Sequence, residues 1–297
     1  MEYIRTQNIQ VDRRSNGRKL FQFLEDFLNN QVPKSALMKW IRTGQVRVDG
    51  KRAKPFDRLR QGQIVRIPPY RKECKNILDK EQRNPFVLKR IYEDDNFIVL
   101  YKPPNLATQP GKNLEDSLYN RLKNEYPHNT PFLVHRLDKD TSGLILVAKT
   151  FHYLQYLHSL FLSKKIKKIY LAWIKGVTKW HKWKIIKDRF EEQRNSKTKQ
   201  VEAISYVKTL KNIDEYSLVA VFIKTGRKHQ IRIQMSLRNH PIIGDKKYSK
   251  ERKSKYLFLH SYLLNWDHYS FSCLPLHWHG RFKVNLEDVK KIYPLPD

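Results

Sequence analysis

Within nine residues, His135-Arg136-Leu137-Asp138-Lys139-Asp140-Thr141-Ser142-Gly143, the chain gathers two carboxylates, an imidazole, a guanidinium and two hydroxyls. It then runs into the apolar stretch Leu144-Ile145-Leu146-Val147. A polar, glycine-terminated loop feeding an apolar strand is where a buried sheet presents side chains to a cleft. Three readings compete. As a calcium loop, Asp138, Asp140, Ser142 and Gly143 fit the first half. The twelfth position is Lys149 rather than Glu, however, and the flanks are strand-like, so calcium is rejected. As a structural turn, Asp138 or Asp140 would only accept backbone N–H bonds. As an active site, Asp138 would be the reacting carboxylate, flanked by the cation Arg136. The local pattern leaves the last two open.

A second stretch, Thr225-Gly226-Arg227-Lys228-His229-Gln230-Ile231-Arg232-Ile233, follows an apolar run and reads as a helix entry. A phosphate-binding helix start is its plainest use, and His229 alone is a weak candidate for anything. Cys273, His277 and His279 match no structural zinc spacing, so no metal is expected there. The alternation Leu276-His277-Trp278-His279 suits a strand equally well.

These groups need a framework. The chain has 297 residues, 40% hydrophobic and 12% aromatic, enough for a real core and about two domains. Apolar runs such as Tyr216–Ile223 fall far short of the ~18 residues of a membrane span. The first residues, Met1-Glu2-Tyr3-Ile4-Arg5, lack the apolar region of a secretory signal. Cys74 and Cys273 are the only cysteines, which suits a reducing, cytoplasmic location. The net charge is +30, and that excess calls for a polyanion, with nucleic acid favoured over a membrane surface.

Residues 1–75 carry 18 basic and 7 acidic side chains (net +11) and read as a small unit. Leu20, Phe21, Leu24, Phe27 and Leu28 recur at helical spacing, with Asn29-Asn30 as the stop. Pro33 opens a second helix bearing Leu37, Met38 and Ile41, and Gly44 is placed to cap it. Asp49-Gly50 is a two-residue hairpin turn between Val46-Arg47-Val48 and Lys51-Arg52-Ala53-Lys54. Lys34, Lys39, Arg42, Arg47, Lys51, Arg52 and Lys54 surround this helix–hairpin unit with only Asp49 as counter-charge, which favours a phosphate-binding face. From Tyr70 to Pro85 the chain is polar and unpatterned, a predicted linker.

Beyond it, short apolar runs alternate with two or three helical stretches. Strands are predicted at Phe97–Leu100, Leu144–Val147, Tyr170–Ile174, Ser205–Leu210, Tyr216–Ile223 and Tyr256–Leu264. Helices are predicted at Leu118–Tyr126 and around Leu154–Phe161. Without βαβ alternation, this predicts an α+β fold with a mixed, largely antiparallel sheet over residues 76–297, behind a small N-terminal α/β domain over 1–75.

The run from Pro33-Lys34-Ser35 through Arg42-Thr43-Gly44-Gln45-Val46-Arg47-Val48-Asp49-Gly50-Lys51 resembles the S4 RNA-binding module. His135-Arg136-Leu137-Asp138 with Thr141-Ser142-Gly143-Leu144 resembles the signature of the RluA-type pseudouridine synthases. The likeness continues through Tyr101-Lys102-Pro103, Gln109-Pro110-Gly111, Lys168-Ile169-Tyr170-Leu171-Ala172, Thr225-Gly226-Arg227 with His229-Gln230-Ile231-Arg232, His240-Pro241-Ile242 with Gly244-Asp245, and Leu259-His260. Gln109, Lys228 and Gln234 depart from the usual residues at their positions.

The resemblance implies a pseudouridine synthase fold and isomerisation of uridine in RNA. Its expected substrate is 23S ribosomal RNA, free or in an assembling large subunit, and the enzyme is expected to be a monomer. The reaction needs no redox change and no net hydrolysis, so no cofactor is expected. By the same resemblance Asp138 acts on C1′ as nucleophile or on C2′ as base, and Arg232 pairs with it, a positive neighbour favouring the ionised carboxylate. Tyr170 stacks on the target base. Arg136, with His135 beside it, contacts the RNA, and its planar cation fills the gap left by the extruded uridine. Further RNA contacts are expected from Lys34, Arg42, Arg47, Lys51 and Arg52. The alternative is a catalytically silent RNA-binding or ribosome-assembly factor, in which Asp138 or Arg232 would be expected to be altered; both are present.

Overall fold

The computed structural model describes residues 2–28, 32–72, 88–111, 116–127, 130–194, 197–250 and 254–296. Its N-terminal unit contains β1 (Glu2–Ile4), β2 (Gln7–Gln10), α1 (Leu20–Phe27), α2 (Lys34–Arg42), β3 (Arg47–Val48), β4 (Lys51–Arg52), β5 (Ile64–Ile67) and β6 (Tyr70–Lys72). Leu20, Leu24, Leu37 and Ile41 line the inner faces of α1 and α2 and pack on Val65 and Ile67 of the sheet β2-β5-β3-β4. Gly44 has φ of 73°, the left-handed conformation that ends a helix. Asp49 (φ 49°) and Gly50 (φ 76°) form the predicted turn, and the Asp49 carboxylate accepts the Ile64 N–H at 2.8 Å.

Two expectations change here. The predicted linker starts as a strand, because Tyr70–Lys72 pairs with Glu2–Ile4. The remainder of that linker, with Cys74, lies outside the described residues, as do Asn29 and Asn30. Nor is Asp49 the sole counter-charge of the basic face: Lys34 reaches Glu25 of α1 at 2.5 Å.

The larger unit holds β7 (Lys89–Glu93), β8 (Phe97–Lys102), α3 (Leu118–Glu125), β9 (Phe132–Leu133), β10 (Ser142–Ala148), α4 (Phe151–Leu162), β11 (Lys167–Lys175) and β12 (Lys184–Arg194). After these come β13 (Lys197–Ile213), β14 (Tyr216–Ile223), α5 (Gln230–Leu237), β15 (Leu259–Trp266), β16 (Tyr269–Ser272) and α6 (Leu286–Lys290). They build one mixed sheet, β12-β13-β14-β11-β15-β10-β8-β7, in which, among the described strands, β10 and β15 alone run parallel.

Helices cover both faces, which explains the unbroken apolar runs of β8, β10 and β14. Ile98, Leu100, Ile145 and Val147 face Leu118 and Leu122 of α3 and Ile231 and Met235 of α5. Phe97, Val99, Leu144 and Leu146 face Leu157 and Leu160 of α4. No helix among the described residues is long and apolar enough to cross a membrane.

Four helices, not two or three, follow residue 86 among the described residues, α6 being too short to show a period. Strand β12 escaped the sequence reading because Asp188 interrupts the apolar alternation between the buried Ile186 and Phe190. The structure gives Asp188 its reason, since it accepts from Gln234 Nε2 (2.9 Å) and Arg238 (3.0 Å) of α5. Residues 276–279 are not a strand; Trp278 is buried and His277 bonds Tyr101 and the Trp278 indole.

The two units touch beside β9, the strand that leads into the loop beginning at His135. The Arg18 guanidinium, paired with Asp26, lies 4.8 Å from the Phe132 ring centroid, and Arg58 lies 5.8 Å from that of Phe151.

Candidate active site

The loop from His135 to Thr141 is held from three sides. Leu137 donates its N–H to Thr108 Oγ1 (3.1 Å), and its carbonyl accepts the Thr108 hydroxyl (2.7 Å). His135 Nε2 accepts the Leu146 N–H at 3.0 Å, so this nitrogen is the unprotonated one, and burial pushes the imidazole down to about 3. Sequence reasoning put His135 on RNA; here its accepting nitrogen is spent on β10. On the third side stands Lys102, fully buried, whose ammonium donates to the carbonyls of Pro103 (2.9 Å), Leu106 (2.8 Å) and Lys139 (3.0 Å). Burial drives its pKa down to about 7, opposed by Asp140 and Asp138, yet three acceptors require the three N–H groups of the charged form.

Lys102→Met removes all three donors, each unmatched buried carbonyl costing about 1–3 kcal/mol. The loop loses its anchor one residue from Asp138, and turnover is expected to drop about 10²-fold, as for small misplacements of reacting groups. RNA affinity should hardly change. A filter-binding titration beside a single-turnover assay checks this, and an unaltered rate would remove Lys102 from the site.

Gly143 has φ of 112°, and a Cβ there would lie 2.3 Å from the Ser261 carbonyl oxygen. Only glycine lets β10 approach β15 this closely. Ser142 next to it bonds His260 Nδ1 at 2.8 Å, and His260 Nε2 contacts the Cys273 carbonyl at 2.7 Å. A carbonyl only accepts, so the proton sits on Nε2 and Ser142 donates to Nδ1.

Strand β11 delivers Tyr170 at a register shift against β15, where Ile169 pairs with Leu263 and Tyr170 with Ser261. Burial raises this phenol well above its ordinary value, with the Asp138 charge adding to it, so it is neutral. Helix α5 is seated by two buried glutamines. Gln230 Nε2 donates to the Ile204 carbonyl (3.1 Å) and Ser205 Oγ (2.8 Å), while Gln234 Nε2 reaches the Ala203 carbonyl (3.1 Å).

These elements enclose a cleft of about 390 Å³ lined by Arg136, Asp138, Lys168, Tyr170, His229 and Arg232, among others. Asp138, Tyr170 and Arg232 are therefore brought together, with Arg136 exposed beside them. The expected pairing needs revision in detail. Arg232 makes its two short contacts to the buried Asp245 (2.7 and 2.8 Å), and its Nη1 stands 3.7 Å from Asp138 Oδ2. The same Asp138 oxygen is 3.7 Å from His229 Nε2. Burial pushes Asp245 up, but Arg232 and the N–H groups of Tyr248 and Lys247 outweigh it and hold the carboxyl below its usual range. A larger cavity of about 620 Å³, lined by Lys208, Lys211 and Lys291, has no carboxylate among the described residues of its wall.

Lys34, Arg42, Arg47, Lys51 and Arg52 are exposed on the N-terminal unit. Arg47 is partly committed, donating to the carbonyls of Gly44 (3.3 Å) and Gly50 (3.2 Å). Sequence reasoning assigned no role to Lys102, Thr108, His229 or Asp245. All but Thr108 lay within quoted motifs; Thr108 carried no signal because its partner Leu137 is distant in sequence.

A mixed sheet carrying a carboxylate loop, a buried tyrosine and an arginine helix at one cleft defines a class, and comparison agrees with it. The family described as RNA pseudouridylate synthase matches residues 96–237. The fold is similar to human RNA Pseudouridylate Synthase Domain Containing 4, with a TM-score of 0.53 and 22% identity over 69% of this chain and 92% of that one. The chain belongs to the RNA pseudouridylate synthase family and is an isomerase. Among its relatives, Ribosomal large subunit pseudouridine synthase C of Buchnera aphidicola (subsp. Acyrthosiphon pisum) is 34% identical over 79% of each chain. The Vibrio cholerae protein of the same name is 31% identical over 97% of this chain and 98% of its own.

Proposed function

We propose that this enzyme isomerises uridines of large-subunit ribosomal RNA, with Asp138 acting on the ribose as nucleophile at C1′ or base at C2′. The observation that carries the reading is the position of Asp138 Oδ2. It lies in the cleft of about 390 Å³, 3.7 Å from Arg232 and flanked by Tyr170. Tyr170, neutral and buried, offers a ring face to the base. Arg136 stands at the rim, where a planar cation replaces an extruded base in the stack. His135 serves by shaping the cleft wall.

The names of the relatives and the +30 charge support ribosomal RNA as substrate. Residues 1–75 form, in this reading, an S4-like module whose exposed Lys34, Arg42, Arg47, Lys51 and Arg52 hold the RNA, with residues 76–297 as the catalytic domain. The enzyme acts as a cytoplasmic monomer, which sedimentation of the purified protein would check.

Position-resolved pseudouridine mapping of 23S RNA from a deletion strain, followed by addition of purified protein, tests the substrate. Particular sites should vanish and return, and an unchanged map would overturn the assignment. For the module, replacing Arg42, Lys51 and Arg52 with Gln should flatten the slope of log K against log salt by about 0.7–0.9 per lost phosphate contact. An identical slope would deny it a role in binding.

A further inference from the structure

We propose that His229 is the proton-transfer residue of the isomerisation, accepting the hydrogen that leaves C5 of the rotated base. This rests on the reading of Asp138 as the group that acts on the ribose. Once the C5–C1′ bond has formed, C5 must lose its hydrogen and N1 must gain one. The C5–H electron pair moves into the ring to form C5=C6, and charge passes to N1. The proton moves to the imidazole, and the imidazolium or water returns one to N1. One base that is neutral beforehand suffices, and no co-reactant enters.

With Asp138 assigned to the ribose, His229 is the one equipped for this among the other groups lining the cleft. Tyr170 is a neutral phenol whose burial makes deprotonation harder. Lys168, pushed down to about 8 by burial, is still mostly protonated at neutral pH, and His135 has given its accepting nitrogen to Leu146. His229 is held differently. Its Nδ1 lies 2.9 Å from the Tyr248 hydroxyl, and its Nε2 points to the cleft at 3.7 Å from Asp138.

The backbone of His229 is left-handed (φ 55°, ψ 23°), a conformation a non-glycine residue keeps only where its surroundings impose it. Every charged group around the ring bears on its state. Burial, Arg232 and Lys247, with Lys228, favour the neutral imidazole, while the Asp138 carboxylate favours the imidazolium. Neutral at rest and stabilised by Asp138 once protonated, the ring has the balance a transient base requires.

The test uses the full chain carrying His229→Asn, since Asn tolerates left-handed backbone. Single-turnover tritium release from RNA labelled at C5 of uridine should slow by about 10²–10⁴-fold, the span typical of a lost general base. Deuterium at C5 should then slow the variant by a primary isotope effect larger than in the wild type. Added imidazole should restore part of the rate, and RNA affinity should stay level. A wild-type rate, or a slow rate with no rise in isotope effect and no imidazole rescue, would overturn the proposal. Asp138→Asn run alongside separates the two readings. An inactive Asp138→Asn with an unaffected His229→Asn sinks only the role of His229, whereas an active Asp138→Asn sinks both.

Discussion

Asp138→Asn is expected to lower tritium release from C5-labelled uridine RNA by at least about 10³-fold, within the range seen when a group essential to the chemistry is removed. Asparagine keeps the shape and the loop geometry, because Leu137, Lys139 and Thr141 hold the backbone without using the carboxylate. What disappears is the negative charge that can attack C1′ or take the C2′ proton. RNA affinity should stay within a few-fold, since affinity comes mainly from phosphate contacts with basic side chains. Equal loss of binding and turnover would make Asp138 a structural residue, which is the turn reading that the local sequence left open. Release at the wild-type rate would move the chemistry elsewhere.

Arg232→Met should produce the largest combined loss. The guanidinium is buried and bound to the buried Asp245 through two short hydrogen bonds. Removing one partner of such a pair leaves an uncompensated charge and costs about 3–5 kcal/mol. Asp245 has a depressed pKa in the native protein, so its stabilising contribution is full above the unfolded carboxylate value and fades as pH falls through the folded one. The deficit of the variant should therefore be largest near neutral pH and shrink in acid. The double variant Arg232→Met/Asp245→Asn separates stability from catalysis. It should recover much of the melting temperature, because no charge is stranded, and stay inactive, because Asp138 still lacks its cation. Recovery of both would make the arginine a structural residue only.

Gln234 shows why part of the site was hidden from the sequence. It stood out as a departure from the family pattern, yet its reason is visible only in three dimensions. Its amide nitrogen bonds Asp188 of β12 and the Ala203 carbonyl of β13, and its oxygen accepts from Ser205. Partners this far apart in the chain leave no spacing to read. Local chemistry was legible where neighbours in sequence decide the outcome. The Asp49-Gly50 hairpin, the Gly44 cap and the buried strands at 97–102 and 142–148 follow from turn geometry and apolar runs.

The sequence by itself determined a basic, two-part chain with a mixed, largely antiparallel sheet, an aspartate loop feeding a buried strand, and an arginine helix further on. Each is a matter of composition, short-range periodicity or motif. Which carboxylate Arg232 grips, which nitrogen of His135 accepts the Leu146 N–H, and the approach of His229 to Asp138 were decided by the tertiary structure. The contacts of His229 and Arg232 with Asp138 join α5 to the loop before β10 across more than ninety residues of chain. Only packing α5 against one face of the sheet brings groups so distant to within 3.7 Å of each other.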